Sequence, residues 1–328
     1  MAENEEVVIG AGTSLLVETL EQRWKTYRSE LKRCQQKPGE EAIHDFRVAS
    51  RRLLALVDML RAASPHPRLQ KLRHTFKNQL DNLDDLRDTQ VMLVEVSERL
   101  EELPELVPFL DYLVKREKRL LRSSVKAIKA YKSANIRKRI DLTRKALLKG
   151  KEGNFQGEVL IQIVDDAYET ALGRFKRIEP DQFASIHRFR IAFKKFRYMI
   201  EIIHSIVPNF PEDNFKSMHD YQGMMGDIQD LEIFVSVLDN FAGKDSSYDS
   251  KAVRKFYLQR HTETVQNFLK NMQLFDTFWR STSEAPYPWE IKRRRKKSTP
   301  ARKPVEMSQV SEEIESSEQA EAEKEAET

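Results

Sequence analysis

The stretch IHDFRVASRRLLALVDML at residues 43–60 returns, in altered form, as IHRFRIAFKKFRYMIEII at residues 186–203. Ile43, His44, Phe46, Arg47 and Ala49 are matched by Ile186, His187, Phe189, Arg190 and Ala192. Arg51 and Arg52 become Lys194 and Lys195, so the charge is kept. At about 100° per residue on a helical wheel, Arg47 falls about 60° from His44 and Arg51 about 20°. Phe46, Leu53, Leu56, Val57 and Leu60 take the opposite side, which is the pattern of a helix with one apolar stripe. In the second copy His187, Arg190, Lys194 and Arg197 share one face, with Phe189, Phe196, Ile200 and Ile203 behind them. Solubility alone asks for polar residues on such a face. It does not ask for a histidine, an arginine at i+3 and a cation at i+7, twice.

The surrounding punctuation repeats as well. Pro38 corresponds to Pro180, and Pro65 with Pro67 to Pro208 with Pro211. LDDLRD at 83–88 corresponds to MGDIQD at 225–230, which sets Asp85 opposite Asp227 and Asp88 opposite Asp230. An offset of about 143 residues runs through all of these and marks an internal repeat. The segments between the breaks are predicted helical over 14–36, 40–62, 68–99, 104–148, 157–177, 181–206, 213–241 and 248–282, with a break in the fourth near Ser133–Asn135. The glycine-bearing linker KGKEGNFQG at 149–157 falls at the midpoint. The fold class is therefore all-α: two tandem four-helix bundles of long antiparallel helices. The expected division is an N-terminal arm at 1–13, a first half at 14–148, a linker at 149–156, a second half at 157–282 and a charged tail at 283–328.

Composition agrees. Ten Gly and 12 Pro in 328 residues are too few for an all-β fold, which needs turn residues every 8–12 positions or so. No glycine stands between Gly39 and Gly150, and no GxGxxG or GxxxxGK[ST] pattern occurs, which argues against a dinucleotide or P-loop enzyme. Hydrophobic residues make up 40% of the chain, enough for a core despite 33% charged residues. The lone Cys34 excludes a disulfide framework and a cysteine zinc site. No apolar run is long enough to span a membrane, and the start of the chain lacks the pattern of a signal peptide. A cytoplasmic protein that makes no membrane contact is expected.

The net charge of +4 hides segregation. Residues 291–304 carry eight Lys or Arg and no acid, and residues 305–328 carry nine Glu and one Lys. This end reads as a disordered tail, basic and then acidic. Within the body, Arg68, Lys71, Arg73, Lys77 and Arg87 line the third helix, and its second copy keeps Lys216 and His219. Lys115, Arg119, Arg122, Lys126 and Lys129 form a narrow ridge along the fourth. Lines of cations on helices suit a linear polyanion, because Lys and Arg bind phosphate by charge-assisted hydrogen bonds. Histidine adds a donor that a neighbouring anion keeps protonated.

On these residues the chain resembles the CHAD family, the conserved histidine α-helical domain. Its hallmark, roughly His-x-x-Arg-[Val/Ile]-x-x-[Arg/Lys]-[Arg/Lys] in both halves, stands here as HDFRVASRR at 44–52 and HRFRIAFKK at 187–195. A second element, roughly Leu-Gly-x-Leu-Arg/Asn-Asp, stands as LDDLRD and MGDIQD, with Asp84 where the family often has glycine. The resemblance covers about residues 14–282. It implies two four-helix bundles related by a pseudo-twofold, with a basic surface or central channel that binds inorganic polyphosphate, and association with polyphosphate granules. The carry-over falls on His44, Arg47, Arg51 and Arg52, and on His187, Arg190, Lys194 and Lys195. With the neighbouring cations the candidate site comprises these eight and Arg73, Lys77, Arg119, Arg122, Lys126, Arg197, Lys216 and His219.

No cofactor, metal or catalytic residue is expected. His44 and Asp45 are adjacent on a helix and point apart, and the second copy has Arg188 in place of the acid. Asp85 and Asp88 read as partners that orient arginines. A metal on His44 and His187 would be repelled by the arginines beside them. Nucleic acid is the rival polyanion, although no recognition motif for it is present. A scaffold that docks a protein partner is a third reading. The oligomeric state is not legible.

Overall fold

The computed structural model describes residues 10–150, 155–244 and 247–291. The arm up to residue 9, four of the eight linker residues and the chain beyond residue 291 lie outside the described residues, whereas residues 11–13 of the expected arm are helical and residues 283–291 of the expected tail are ordered enough to bury Tyr287 against Trp279. Those described form no strand and nine long α-helices, α1 Ala11–Gln36, α2 Glu40–Ala63, α3 Pro67–Arg99, α4 Val107–Ala130, α5 Ser133–Leu148, α6 Gly157–Phe175, α7 Phe183–Ile203, α8 Asp213–Ala242 and α9 Lys251–Asn271, with one further helical turn over 288–291. Short 3₁₀ turns sit at Pro104–Leu106, His204–Ile206 and Met272–Thr277. None of the described helices is long and apolar enough to cross a membrane.

Local chemistry sets several boundaries. Glu40 and Glu41 stand in the first turn of α2, where they complement the positive end of the helix dipole. Pro67 opens α3, and the Arg68 N–H donates to His66 Nδ1 at 3.1 Å. Packing overrides the sequence reading elsewhere. The break expected near Ser133–Asn135 falls slightly earlier, at Tyr131 and Lys132, whose backbone is extended, so the first half holds five α-helices and not four. The carbonyls of Ile128 and Tyr131, freed at that break, accept from Gln35 Nε2 at 2.9 and 3.1 Å. Tyr131 also sets its ring 6.3 Å from that of Phe46 and accepts from Asn82 at 3.3 Å. The helix expected to run to residue 282 instead stops at Asn271 and tightens into a 3₁₀ turn, where the Met272 carbonyl accepts from the Tyr221 hydroxyl at 3.0 Å.

The apolar stripes of the repeated helices are buried as the wheel predicts. Phe46, Leu53, Leu56 and Val57 of α2 are inaccessible and pack with Tyr27 and Phe76, whose rings stand 5.3 Å apart. Tyr27 keeps its hydroxyl satisfied by donating to Gln79 at 2.9 Å. Phe189, Phe193 and Phe196 of α7 pack among Tyr168, Tyr221, Phe275 and Trp279. A third cluster is not legible from the repeat. Met92 and Val96 of α3, Phe109 and Leu113 of α4, Phe234 of α8 and Tyr257 of α9 form one apolar layer across the halves. The halves also meet where α2 packs on α7 and α3 on α8. The two repeated basic helices are thereby brought against each other.

Candidate functional site

The contact of α2 with α7, flanked by α3, holds a cleft of about 330 Å³. Arg47 and Arg51 come from α2, Lys77, Asp81 and Asp84 from α3, and Arg190, Lys194, Lys195 and Tyr198 from α7. The wheel places Arg47 on a solvated face. The structure instead buries it, with 7% of its side chain exposed, because α3 covers that part of the face. Its Nη1 donates to the Leu80 carbonyl at 3.3 Å and its Nη2 to Asp84 Oδ1 at 2.8 Å. Asp84 is the carboxylate that holds this arginine.

Carboxylates near the cleft are taken. Asp58 accepts from Arg73 at 2.8 Å and Arg61 at 3.2 Å, and Asp81 pairs with Lys77 at 3.0 Å. Arg51, Arg190 and Lys194 are left without an ion pair among the described residues. The Nε atoms of Arg51 and Arg190 are buried and have no hydrogen-bond partner. The Arg190 guanidinium lies against Gly226 of α8, 3.9 Å from the place of a Cβ there. Burial pushes the pKa of both arginines down, and Arg87 lowers each further. Lys194 responds most. Burial, then Arg51, Arg190 and Arg47, push its ammonium down to about 7, against a smaller opposing pull from Asp84. Burial and like charges held together without counter-ions both disfavour the charged forms, which is why all three pKa values fall.

Beside the cleft, Arg87 of α3 reaches α8 and grips Asp230 with two bonds, of 2.6 and 3.0 Å, while its Nη1 also donates to Asp88 at 2.9 Å. These carboxylates raise the pKa of Arg87, and burial raises that of Asp88. Asp85 lies 3.6 Å from Arg116. Asp84, Asp85, Asp88 and Asp230 of the two hexapeptides thus hold arginines. The Arg87–Asp230 clamp was missed in the sequence, although both residues lie in those hexapeptides. The anchoring role of Asp84 was missed too.

The other predicted site residues are spread more widely. His44 is exposed and lines a neighbouring pocket with Glu40, Glu41, Arg47 and Arg87. His187 hydrogen-bonds Gln229 of α8 through Nδ1. Arg52 lies in a further pocket with Arg23 and His204, its carbonyl accepting from Arg23. Arg197 stacks 4.9 Å over the Tyr198 ring and sits 3.6 Å from Glu201. Arg119, Arg122 and Lys126 are exposed along α4, and Lys216 and His219 along α8, outside the cleft. Among the described residues no group of three or more His, Cys, Asp or Glu side chains is placed to hold a metal ion.

The family model for the CHAD domain matches residues 18–239. The chain belongs to the CHAD domain family. The CHAD domain of the plant Ricinus communis, known from a crystal structure, is similar in fold, with a TM-score of 0.60 at 18% identity over 82% of this chain and 91% of that one. No match was found among curated proteins. The family match covers α2 and α7, the two helices that build the cleft of this CHAD chain.

Proposed function

We propose that this CHAD chain binds inorganic polyphosphate in the α2–α7 cleft, as a binding protein without catalysis, in the cytoplasm and at polyphosphate granules. One observation carries the reading: Arg51, Arg190 and Lys194 converge in one cleft with no carboxylate partner, two of them with buried, unused Nε atoms. Six cations line the cleft against three carboxylates, so its charge is positive. Arginine donors in a fixed fork match phosphoryl oxygens in pairs. A polyphosphate chain is narrow, has charge at every unit and carries no bases. Single-stranded nucleic acid is held by aromatic platforms as well as cations, and Tyr198 is the one aromatic residue that lines this cleft. Its ring already carries Arg197.

The test is a binding measurement with long-chain polyphosphate, single-stranded DNA, duplex DNA and orthophosphate in the same salt. Polyphosphate should bind most tightly, and its affinity should fall steeply with salt, as counterion release does for nucleic acids. A flat salt dependence, or equal affinity for orthophosphate, overturns the proposal. Tighter binding of DNA would assign the cleft to nucleic acid instead.

A further inference from the structure

We infer that Lys194 is a covalent modification site, acylated by small acyl phosphates that the cleft captures by their phosphate end. This rests on the reading of the cleft as a site for phosphoryl groups. The geometry behind it is an amine with no carboxylate partner set among guanidiniums that retain unused donors, in one cleft of about 330 Å³. An ordinary lysine is protonated at neutral pH and has no lone pair to attack with. The surroundings of Lys194 hold its ammonium near 7. Desolvation and nearby cations are what activate lysine amines as nucleophiles. Arg51 and Arg190 would receive the phosphate, which brings the attached acyl group into the compartment of the amine.

In the reaction, the neutral Nζ lone pair attacks the carbonyl carbon and a C–N bond forms. The C–O bond to phosphate breaks, and its electron pair leaves on the phosphate. The surplus proton on nitrogen passes to water at the mouth of the cleft. The products are an Nε-acyl-lysine and inorganic phosphate, with no change of oxidation state. One cation of the cleft is lost, so the acylated protein should bind polyanions more weakly.

The test uses the full chain, acetyl phosphate at pH 7.5 and peptide mass spectrometry after digestion with a protease that does not cut at lysine. Lys195 is the internal control, being next in sequence and lining the same cleft, but exposed where Lys194 is half-buried. Lys194 presents a largely neutral amine at that pH beside the captured phosphate, so it should acetylate at least about tenfold faster than Lys195. The rate at Lys194 should saturate with acetyl phosphate and that at Lys195 should rise linearly. Acetic anhydride has no phosphate end and should show no saturation at either. Equal rates at the two lysines, or linear dependence at both, overturn the inference. Arg190→Met should abolish the saturation, with circular dichroism to check its fold, and the wild-type comparison stands if that variant does not fold. Tripolyphosphate binding is measured in parallel. Binding without selective acetylation overturns this inference alone, and selective saturable acetylation without tripolyphosphate binding overturns the proposed function alone.

Discussion

Polyanion binding should weaken as pH rises above neutrality, and Lys194 should be the cause. In the free protein its ammonium titrates at about 7. The groups facing it are Arg47, Arg51 and Asp58 on α2, Lys77, Asp81 and Asp84 on α3, and Arg190, Lys195 and Tyr198 on α7. A bound anion cancels the repulsion among them and returns the pKa toward its ordinary value of about 10.4. A group with a higher pKa in the complex takes up a proton on binding. The interaction is then complete below pH 7 and is lost as pH climbs through the window up to the bound pKa. One linked proton corresponds to at most about tenfold in affinity per pH unit, hence up to about 100-fold between pH 7 and 9. The assay is calorimetric titration with tripolyphosphate from pH 6.5 to 9.5 at constant ionic strength, on wild type, Lys194→Met and Lys194→Arg. Protonation of the ligand is common to all three and cancels in the comparison. Lys194→Met should bind more weakly at pH 6.5 with a shallower slope, and Lys194→Arg should hold its affinity across the range. Parallel slopes for wild type and Lys194→Met would refute the argument. Folding gives the opposite sign: the unfolded chain binds the proton more tightly, so the free protein gains stability as pH rises from about 7 toward 10.4.

Replacing Arg51 and Arg190 by methionine should lower the slope of log affinity against log salt by about 0.7–0.9 per cation, by analogy with nucleic acids, as read by titration in a salt series. The same double variant should melt no lower than wild type in calorimetry, since it removes buried charge that has no partner. Arg87→Met deprives Asp230 and Asp88 of their shared cation and should cost about 1–3 kcal/mol in urea unfolding, the lower end applying because the groups are partly exposed. Phe193→Ala opens a cavity in the aromatic cluster of the second half and should cost about 3–5 kcal/mol by the same measurement.

The helical period and the doubled stripe made the architecture legible, because apolar spacing on α2 and α7 directly reports which side is buried. The break at Tyr131 was visible only as a weak point. Its exact place depends on Gln35, almost a hundred residues earlier in sequence, which satisfies the freed carbonyls. Charge type was legible in the cleft and charge pairing was not. Arg73 and Lys77 look like ligands for an anion until Asp58 and Asp81 are seen to occupy them. Arg51, Arg190 and Lys194 look no different from them in the sequence, yet fold beside no free carboxylate. The ridge of Arg119, Arg122 and Lys126 was grouped with the rest by sign alone, and three dimensions separate it from the cleft.

Of the histidines that head the two motifs, His187 acts as a positioning group. Neither lines the cleft. The ring of His187 is engaged with Gln229 on α8. One turn further along α7, Arg190 rests against Gly226, which lies one turn earlier on α8. Antiparallel helices in register produce this reversal, so a bond from His187 to Gln229 fixes where Arg190 falls along α8. Gly226 has no side chain to claim that space, and Arg190 keeps its Nε free there. In the first half, Arg47 has Asp84 on α3 where the second half has Gly226 on α8, and it is tied down instead. The two motif arginines therefore differ in what they have left to give. Arg47 supplies field to the cleft, while Arg190, with Arg51 and Lys194, supplies the donors that an anion would take.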